Sequence, residues 1–254
     1  MTEIISFELS GDYAMFKKPW CNNQHQSYYI PPKTSILGLI SGILGIEKKK
    51  YLKEIPFNSI KIGIEILRRS KKELVGFNFM HGKKIGKITK KISNPFRDPT
   101  SKGSTSPTRV EYLKGVSYRI YIQLEDDNKL SELYNLLSKN KFHYPPFLGQ
   151  VNLFAKISKV TKLELNNDQR IETISTVSPT DIVEIKKLES GLYQVEKMPY
   201  KFSEDRELPE YISILYYVEP GKEIILKNID YSLNSKYLIG KININGNKKG
   251  AVLY

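Results

Sequence analysis

Residues 60–67 read IKIGIEIL and residues 116–124 read VSYRIYIQL, and these two stretches decide the fold. In both, large apolar residues occupy every second position. Alternation with a period of two is typical of a β-strand with one buried face. We therefore predict two strands, paired as the base of a hairpin whose arms are separated by residues 68–114.

This connecting segment holds most of the charge of the chain. It contains thirteen Lys and Arg against three Asp and Glu, and so accounts for ten of the thirteen net positive charges. Phe77, Phe79, Phe96 and Tyr112 lie among these cations. Because cations bind phosphates and flat rings stack on unpaired bases, the segment is predicted to grip single-stranded nucleic acid. The alternative is a solvated, partly disordered lysine-rich loop.

The order of the predicted elements indicates the fold class. A strand at 4–9 precedes a helix that opens with Thr34 as N-cap and stops at Gly45. The two strands above follow, then a helix capped by Asp127 and a strand at 151–160. Strand, helix, strand, strand, helix, strand is the ferredoxin-like order, which RNA-recognition domains share.

We therefore predict an α+β protein of two domains. Residues 1–161 form a ferredoxin-like domain, with 68–114 inserted between its second and third strands as a long basic β-hairpin. Within the insertion we expect ragged strands near 74–80 and 85–92, and a tip at 94–108 without regular structure. Residues 162–254 contain short apolar runs separated by Gly, Pro and Asn, which predict a small β-rich domain.

Composition restricts the class of protein. One cysteine, Cys21, excludes an internal disulfide and suits the reducing cytoplasm, where we expect the protein to reside. No apolar run reaches the roughly 18 residues of a membrane span, and the first residues lack a signal peptide's cations. His25, His81 and His143 show no metal-ligand spacing, so we expect no metal and no cofactor. A pI near 9.5 favours a polyanionic partner, and the aromatic residues favour nucleic acid over a membrane surface.

Candidate RNA contacts also precede the first helix. Lys17, Lys18 and Trp20 offer two cations and one stacking ring on a loop, although Trp20 could instead lie in the core. Of the adjacent Tyr28 and Tyr29, we expect one to pack and the other to contact RNA. The run from Pro31 to Ser35 brings Lys33, two hydroxyls and the free amides of a helix N-terminus together. This predicts an anion site, or otherwise a plain helix cap.

A further alternative concerns the sheet itself. Arg119 and Tyr121 share one strand face, which stacks bases in an RNA-recognition domain. The second domain could instead cover that face.

Two longer motifs resemble a known family. The motif F-x-L-S-G-D-Y-A-x-F-K-K-P at 7–19 and the run SYYIPPKTSILGLISGILG at 27–45 resemble the N-terminal signature of the fifth CRISPR-associated protein family, within the RAMP superfamily. The resemblance is closest to its subtype I-B branch. YPPFLG at 144–149 resembles the family's second block, and 199–218 is a weaker match.

The resemblance implies a non-catalytic RNA-binding subunit of a type I CRISPR interference complex, called Cascade. Such a subunit grips the 5′ handle of the CRISPR RNA, caps the backbone filament, contacts the backbone and large subunits, and meets target DNA indirectly. It carries a β-hairpin thumb that displaces a base from the guide–target duplex. Together with the residue chemistry, this predicts RNA contacts at Lys17, Lys18, Trp20, Tyr28, Lys33, Thr34, Ser35, Lys83, Lys84, Lys90, Lys91, Arg97 and Arg109.

The alternative function is a metal-independent endoribonuclease that processes precursor CRISPR RNA. Such an enzyme needs a general base, a general acid and a cation at the phosphate. His25 with Tyr28, Tyr29 and Lys33 could supply these groups. A related branch of the family cleaves its precursor with a Tyr, Lys and His set, but that set does not map onto this sequence, so we expect no catalysis.

Overall fold

One long strand, at residues 105–124, organises the main sheet. The computed structural model describes residues 2–21, 24–80, 105–166, 171–188, 190–203, 209–227, 236–244 and 246–254. The architecture is mixed α+β and rich in strands, as predicted.

The elements of the first part of the chain include three very short strands and one short helix. They are β1 (Thr2–Ala14), β2 (Phe16–Lys17), β3 (Gln24–His25), β4 (Ser27–Tyr28), α1 (Lys33–Leu44), α2 (Tyr51–Glu54), β5 (Ile60–Arg68), β6 (Lys71–Met80), β7 (Thr105–Leu124), α3 (Asp127–Ser138) and β8 (Lys156–Asn166).

The remaining elements are strands, with two 3₁₀ turns at Thr180–Ile182 and Ile185–Lys187. The strands are β9 (Thr173–Ile174), β10 (Ser178–Pro179), β11 (Tyr193–Phe202), β12 (Pro209–Tyr217), β13 (Ile224–Ile225), β14 (Leu238–Ile244) and β15 (Asn247–Leu253).

Strand β7 is paired along both of its edges. One edge pairs antiparallel with β1 and, further out, in parallel with β3. The other edge pairs antiparallel with β5 along its second half and with β6 along its first half. Across the sheet, the strands from the first predicted domain are ordered β8-β1-β7-β5, and all neighbours in this order are antiparallel.

The inserted segment continues the antiparallel pairing along this edge of β7. We call β6 and residues 105–114 of β7 the hairpin. The strand predicted at 74–80 lies within β6, whereas the one predicted at 85–92 lies outside the described residues. The prediction of an unstructured stretch to residue 108 is wrong at its end, because β7 begins at Thr105 and pairs with β6 from there. Gly115, at φ 68°, lies opposite the break between β5 and β6, where the left-handed backbone suits glycine.

Both long helices bury one apolar side. The buried residues of α1 include Ile36, Leu37, Ile40, Ile43 and Leu44, and those of α3 are Leu130, Leu133 and Leu137. Gly45 ends α1 in the left-handed conformation, as predicted.

The helix starts and two strand ends differ from prediction. The N-cap of α1 is Pro32, not Thr34, because the fixed φ of proline suits the entry into a helix. The N-cap of α3 is Asp126, whose carboxylate accepts from two backbone amides, rather than Asp127. Strand β1 runs on past residue 9, and β8 begins at Lys156 because 151–155 belong to a loop.

The last strands of the chain extend the main sheet. Strand β14 pairs with β8, and β15 pairs with β14. The backbone of Tyr254 also exchanges two hydrogen bonds with Ile62 of β5. The predicted boundary at residue 161 falls inside β8, and the division into two domains stays a prediction. In the described part of the chain, no helix has the length and apolar character to cross a membrane.

Candidate nucleic-acid interface

A cleft of about 370 Å³ opens beside the N-terminus of α1. Its described walls are mostly apolar and aromatic, with a few polar groups. They are formed by Met15, Phe16, Lys17, Pro19, Tyr28, Pro32, Thr34, Ser35, Gly149, Gln150, Pro199, Phe202, Pro209 and Tyr211. A cleft of this size and mixed character is typical of a ligand site.

Hydrogen bonds donated by two backbone amides hold the walls together. The amide of Phe16 donates to Ser27 Oγ at 3.0 Å, and the amide of Met15 donates to the Leu148 carbonyl at 3.0 Å. Gly149 has φ 88°, and a Cβ at this position would collide with the Met15 carbonyl. Only glycine therefore lets the loop at 144–149 approach the first strand so closely.

Tyr28 is buried beneath the cleft. It is only 1% exposed, and its hydroxyl is one of two buried side-chain polar atoms without a hydrogen-bond partner in the described chain. Burial raises its pKa, so the hydroxyl stays protonated and can donate. An unpaired buried hydroxyl costs stability, which a bound polar ligand would recover.

Trp20 lies at the surface above Tyr28. Its indole is 53% exposed, and its ring centre is 5.8 Å from that of Tyr28, edge to face. A second contact, with Tyr211, has the ring centres 6.3 Å apart. The possibility that Trp20 is a core residue is therefore excluded, and its exposed ring is accessible for stacking.

The start of α1 offers backbone donors to the cleft. The amides of Ser35 and Ile36 both donate to the Pro32 carbonyl, and the amides of Lys33 and Thr34 lie before the helical ladder. The first turn contains no acidic residue. Thr34 and Ser35 line the cleft and are partly exposed, as an anion site requires.

Lys33 is buried rather than displayed at the surface. It is 2% exposed, and its Nζ lies 4.6 Å from the ring centre of Tyr200. Burial, with the nearby charges of Lys61 and Lys201, lowers the pKa of Lys33 to about 7. The sequence reasoning missed this, because a lysine between proline and threonine reads as solvent-exposed.

The other two cations of this region differ in their surroundings. Lys18 Nζ lies 2.6 Å from Glu196 Oε1, in a pair that is largely shielded from solvent. Its charge is thus balanced within the protein. Lys17 is exposed, with Nζ 3.4 Å from His25 Nε2. Partial burial, and to a smaller extent the charge of Lys17, lower the pKa of His25. This imidazole is therefore neutral at pH 7.

A row of aromatic rings continues from this region onto the hairpin. The ring of Phe79 lies 5.9 Å from those of His25 and Phe77, and Phe77 lies 6.1 Å from Tyr112. Tyr13 extends the row from Tyr112. Phe77 and Phe79 are partly exposed. Sequence reasoning missed the contributions of Tyr13 and His25, since only the pairing of β1, β3 and β6 with β7 brings them to the row.

The remaining predicted contacts lie on the hairpin. Arg109 is exposed on β7, opposite Gly76 on one side and Gln24 on the other. The predicted contacts Lys83, Lys84, Lys90, Lys91 and Arg97 lie outside the described residues.

The sheet face of Arg119 and Tyr121 is not available for bases. Tyr121 is buried and donates to Glu65 at 2.7 Å, while Arg119 bridges Glu65 and Glu8. Tyr121 packs in one cluster with Ile242 and Leu253, so β14 and β15 cover this face. The alternative of a covered face is the correct one.

A scan of protein-family models decides the family. Residues 4–210 match the family described as CRISPR-associated protein (Cas_Cas5). The chain belongs to this CRISPR-associated Cas5 family. The resemblance found in the sequence is thereby confirmed, whereas its subtype I-B detail stays a prediction.

Solved structures place the Cas5-family chain in the same fold as other CRISPR proteins. A crystal structure of a CRISPR protein from Archaeoglobus fulgidus is 12% identical, with a TM-score of 0.56 and 99% of each chain covered. A chain of a CRISPR RNA-guided surveillance complex is also 12% identical, with a TM-score of 0.55, covering 87% of this chain and 91% of that one. A comparison with curated proteins finds no match.

The segments that carry the Cas5 resemblance meet in the cleft. Every described lining residue except Gln150 belongs to 7–19, 27–45, 144–149 or 199–218. Sequence reasoning missed Phe202, Pro209 and Tyr211, although they lie in the weakest of these matches, and Gln150, which directly follows YPPFLG. Among the described residues, no group of three His, Cys, Asp or Glu could hold a metal ion.

Proposed function

We propose that this protein is a non-catalytic RNA-binding subunit of a type I Cascade complex. It holds the 5′ handle of the CRISPR RNA, caps the backbone filament, and contacts the backbone and large subunits. Its contact with target DNA is indirect, through the guide. Membership of the Cas5 family, and the fold shared with a chain of a CRISPR RNA-guided surveillance complex, support this role.

One observation carries the proposal: four segments that are far apart in sequence line one cleft. The cleft combines what a single RNA strand needs. The rings of Phe202 and Tyr211 in its wall, and the ring of Trp20 next to Tyr211, offer stacking surfaces, and the amides of α1 offer donors to a phosphate. The Tyr28 hydroxyl offers a hydrogen bond to a splayed base.

The fold supports the finer assignment as well. The strand order β8-β1-β7-β5 is the order 4-1-3-2 of a ferredoxin-like domain, which we assign to the first part of the chain. Strand β6 and the first half of β7 then correspond to the thumb. Its row of exposed aromatic rings continues from the cleft side of the molecule and suits contact with bases.

The test is RNA binding as a function of salt. Fluorescence anisotropy with labelled repeat-derived RNA should show affinity that falls by roughly 0.7 log units per decade of salt for each neutralised phosphate. A scrambled RNA of equal length is the control, and should bind more weakly at every salt concentration because the splayed bases are read. Affinity that is independent of salt, or equal for both RNAs, would contradict the proposal.

The endoribonuclease remains the second candidate, because His25 is partly exposed, neutral and 3.4 Å from the Lys17 ammonium. A neutral imidazole beside a cation is a suitable general base for RNA cleavage. The purified protein should be incubated with precursor repeat RNA in EDTA. We expect intact RNA; a product that disappears in His25→Ala would show that the protein is catalytic.

A further inference from the structure

Residues 142–155 form a loop between α3 and β8, and four of its large apolar side chains are exposed to solvent. Tyr144, Phe147, Val151 and Phe154 are 56%, 43%, 75% and 67% exposed. We call residues 142–155 the apolar loop. Four large apolar side chains exposed in one short segment indicate an interaction site rather than the usual scatter of surface residues.

The apolar loop is held rigidly. Leu148 is fully buried, and its amide donates to the Leu153 carbonyl at 2.7 Å. The amide of Ala155 donates to the Pro146 carbonyl at 2.9 Å, and Phe147 and Phe154 face each other across an antiparallel bridge. A partner therefore meets a preformed shape and does not have to order it, which favours tight binding.

The absence of charged residues from the apolar loop indicates which kind of partner it binds. The loop contains no Lys, Arg, Asp or Glu, in a chain of which 26% is charged. RNA binding requires cations along the strand, whereas the central part of a protein interface is depleted in charge and enriched in aromatic residues. An uncharged, apolar pocket on a protein matches this surface.

The position of the loop selects the partner. Gly149 and Gln150 line the cleft, and Gln150 Oε1 also accepts from the Tyr112 hydroxyl at the base of the hairpin. Leu153 packs on the cluster of Met15, Val110 and Tyr112 at the same base. An RNA that passes from the cleft to the hairpin runs beside the loop. The protein next to it is then the one that holds the following stretch of that RNA.

We infer that the apolar loop docks into an apolar pocket of the adjacent backbone subunit of the complex. This inference rests on the proposed function, and assigns one surface of it to protein rather than RNA. Tyr144, Phe147, Val151 and Phe154 are the anchoring side chains.

The experiment is pairwise co-expression with the backbone subunit or with the large subunit, each with repeat RNA, followed by affinity purification. The variant Val151→Asp/Phe154→Asp places two charges on the loop, and we expect recovery of the backbone subunit to fall at least tenfold. Leu192→Asp/Val195→Asp is the matched control, because it adds the same charge to exposed apolar residues near β11 and should leave recovery unchanged. Val151→Ser/Phe154→Ser, which adds no charge, should show an intermediate loss.

The outcomes separate this inference from the proposed function. If the unaltered chain binds RNA and recovers the backbone subunit, and the loop variant does so equally well, only the docking assignment is overturned. Loss of the large subunit alone, or loss of RNA affinity in the isolated chain, would also overturn it. If the unaltered chain recovers neither subunit nor RNA, the proposed function itself fails.

Discussion

Lys33 shows how far a residue's surroundings can change its chemistry. Its ammonium lies over Tyr200 without a carboxylate among the groups that shift its pKa, and with two further lysines nearby. A buried charge of this kind costs free energy, because the protein replaces water poorly as a solvent for it.

We expect Lys33→Met to stabilise the protein in a pH-dependent manner. The folded pKa of about 7 lies below the usual value of 10.5, so between these values the unfolded chain binds a proton that the folded chain lacks. Stability therefore rises with pH across this window, and the penalty is fully present below it. Urea unfolding should show a gain on the order of a few kcal/mol at about pH 6, which shrinks towards zero by about pH 10.

The control for this prediction is Lys197→Met. Lys197 is exposed, with Nζ 5.4 Å from the ring centre of Tyr211. It therefore reproduces the contact with an aromatic ring without the burial. An equal gain from Lys33→Met at both pH values would show that the ammonium is not the source of the effect.

Among the elements, the loop that carries Gly149 controls the shape of the cleft. We expect Gly149→Ala to destabilise the protein more than Gly221→Ala does. Both glycines have φ near 80–90°, but a Cβ at 149 meets the Met15 carbonyl whereas a Cβ at 221 meets open space. The control should cost about 1–2 kcal/mol for the backbone alone, and Gly149→Ala roughly 1–3 kcal/mol more. Urea unfolding measures the stability of both variants. Equal losses of stability would mean that the loop can move away from Met15 at no cost.

The hairpin gives a second prediction at this scale. Phe77→Ala/Phe79→Ala should weaken binding of single-stranded repeat RNA about tenfold or more, since each stacked base is worth roughly 1–3 kcal/mol. Stability should change little, because both rings are partly exposed. Leu74→Ala is the control, on the opposite face of β6. Anisotropy titrations that give the same affinity for both variants would exclude the ring row from the interface.

The elements also show why part of the fold was predictable. The strands at 60–67 and 116–124 were found because neighbouring residues alternate, and alternation is a local signal. The extension of β7 back to Thr105 could not be found in this way. Pro107, Gly115 and the polar residues around them read as a loop, and their strand conformation depends on pairing with β6.

The residues of the candidate site also fall into those with a local sequence signal and those whose position depends on strand pairing. A helix start has a local signature, so the start of α1 was predicted to within two residues, and Thr34 and Ser35 do line the cleft there; their contact with RNA stays a prediction. Tyr28 and Tyr29 could not be distinguished, since both are buried: one beneath the cleft, the other bonded through its hydroxyl to Ser70. Tyr211 reaches the cleft only through the pairing of β11 with β12, which no local pattern encodes.

At the scale of the whole molecule, the uneven distribution of charge should dominate RNA affinity. Replacing Lys83, Lys84, Lys90 and Lys91 with Ala removes four of the ten net positive charges of 68–114. We expect a shallower dependence of affinity on salt, by roughly 0.7 for each phosphate that is no longer neutralised, and equal weakening for all RNA sequences.

The matched control replaces Lys48, Lys49, Lys50 and Lys53, four lysines in and before α2. Because they lie outside the basic segment, the salt slope should stay unchanged. Equal slopes for the two quadruple variants would show that net charge alone, rather than its position, sets the affinity.

Strand β7 also determines how the molecule responds to force. Twenty residues of strand reach about 65 Å, so one uninterrupted piece of backbone joins the sheet to the hairpin. A pull along its axis loads the ladders with β1, β5 and β6 together, in shear, and is strongly resisted. A sideways push concentrates instead at Gly115, where the left-handed backbone and the break between β5 and β6 coincide. In the part of the hairpin that the structure describes, bending is thus concentrated at Gly115, so its movement can be changed without altering the paired strands on either side.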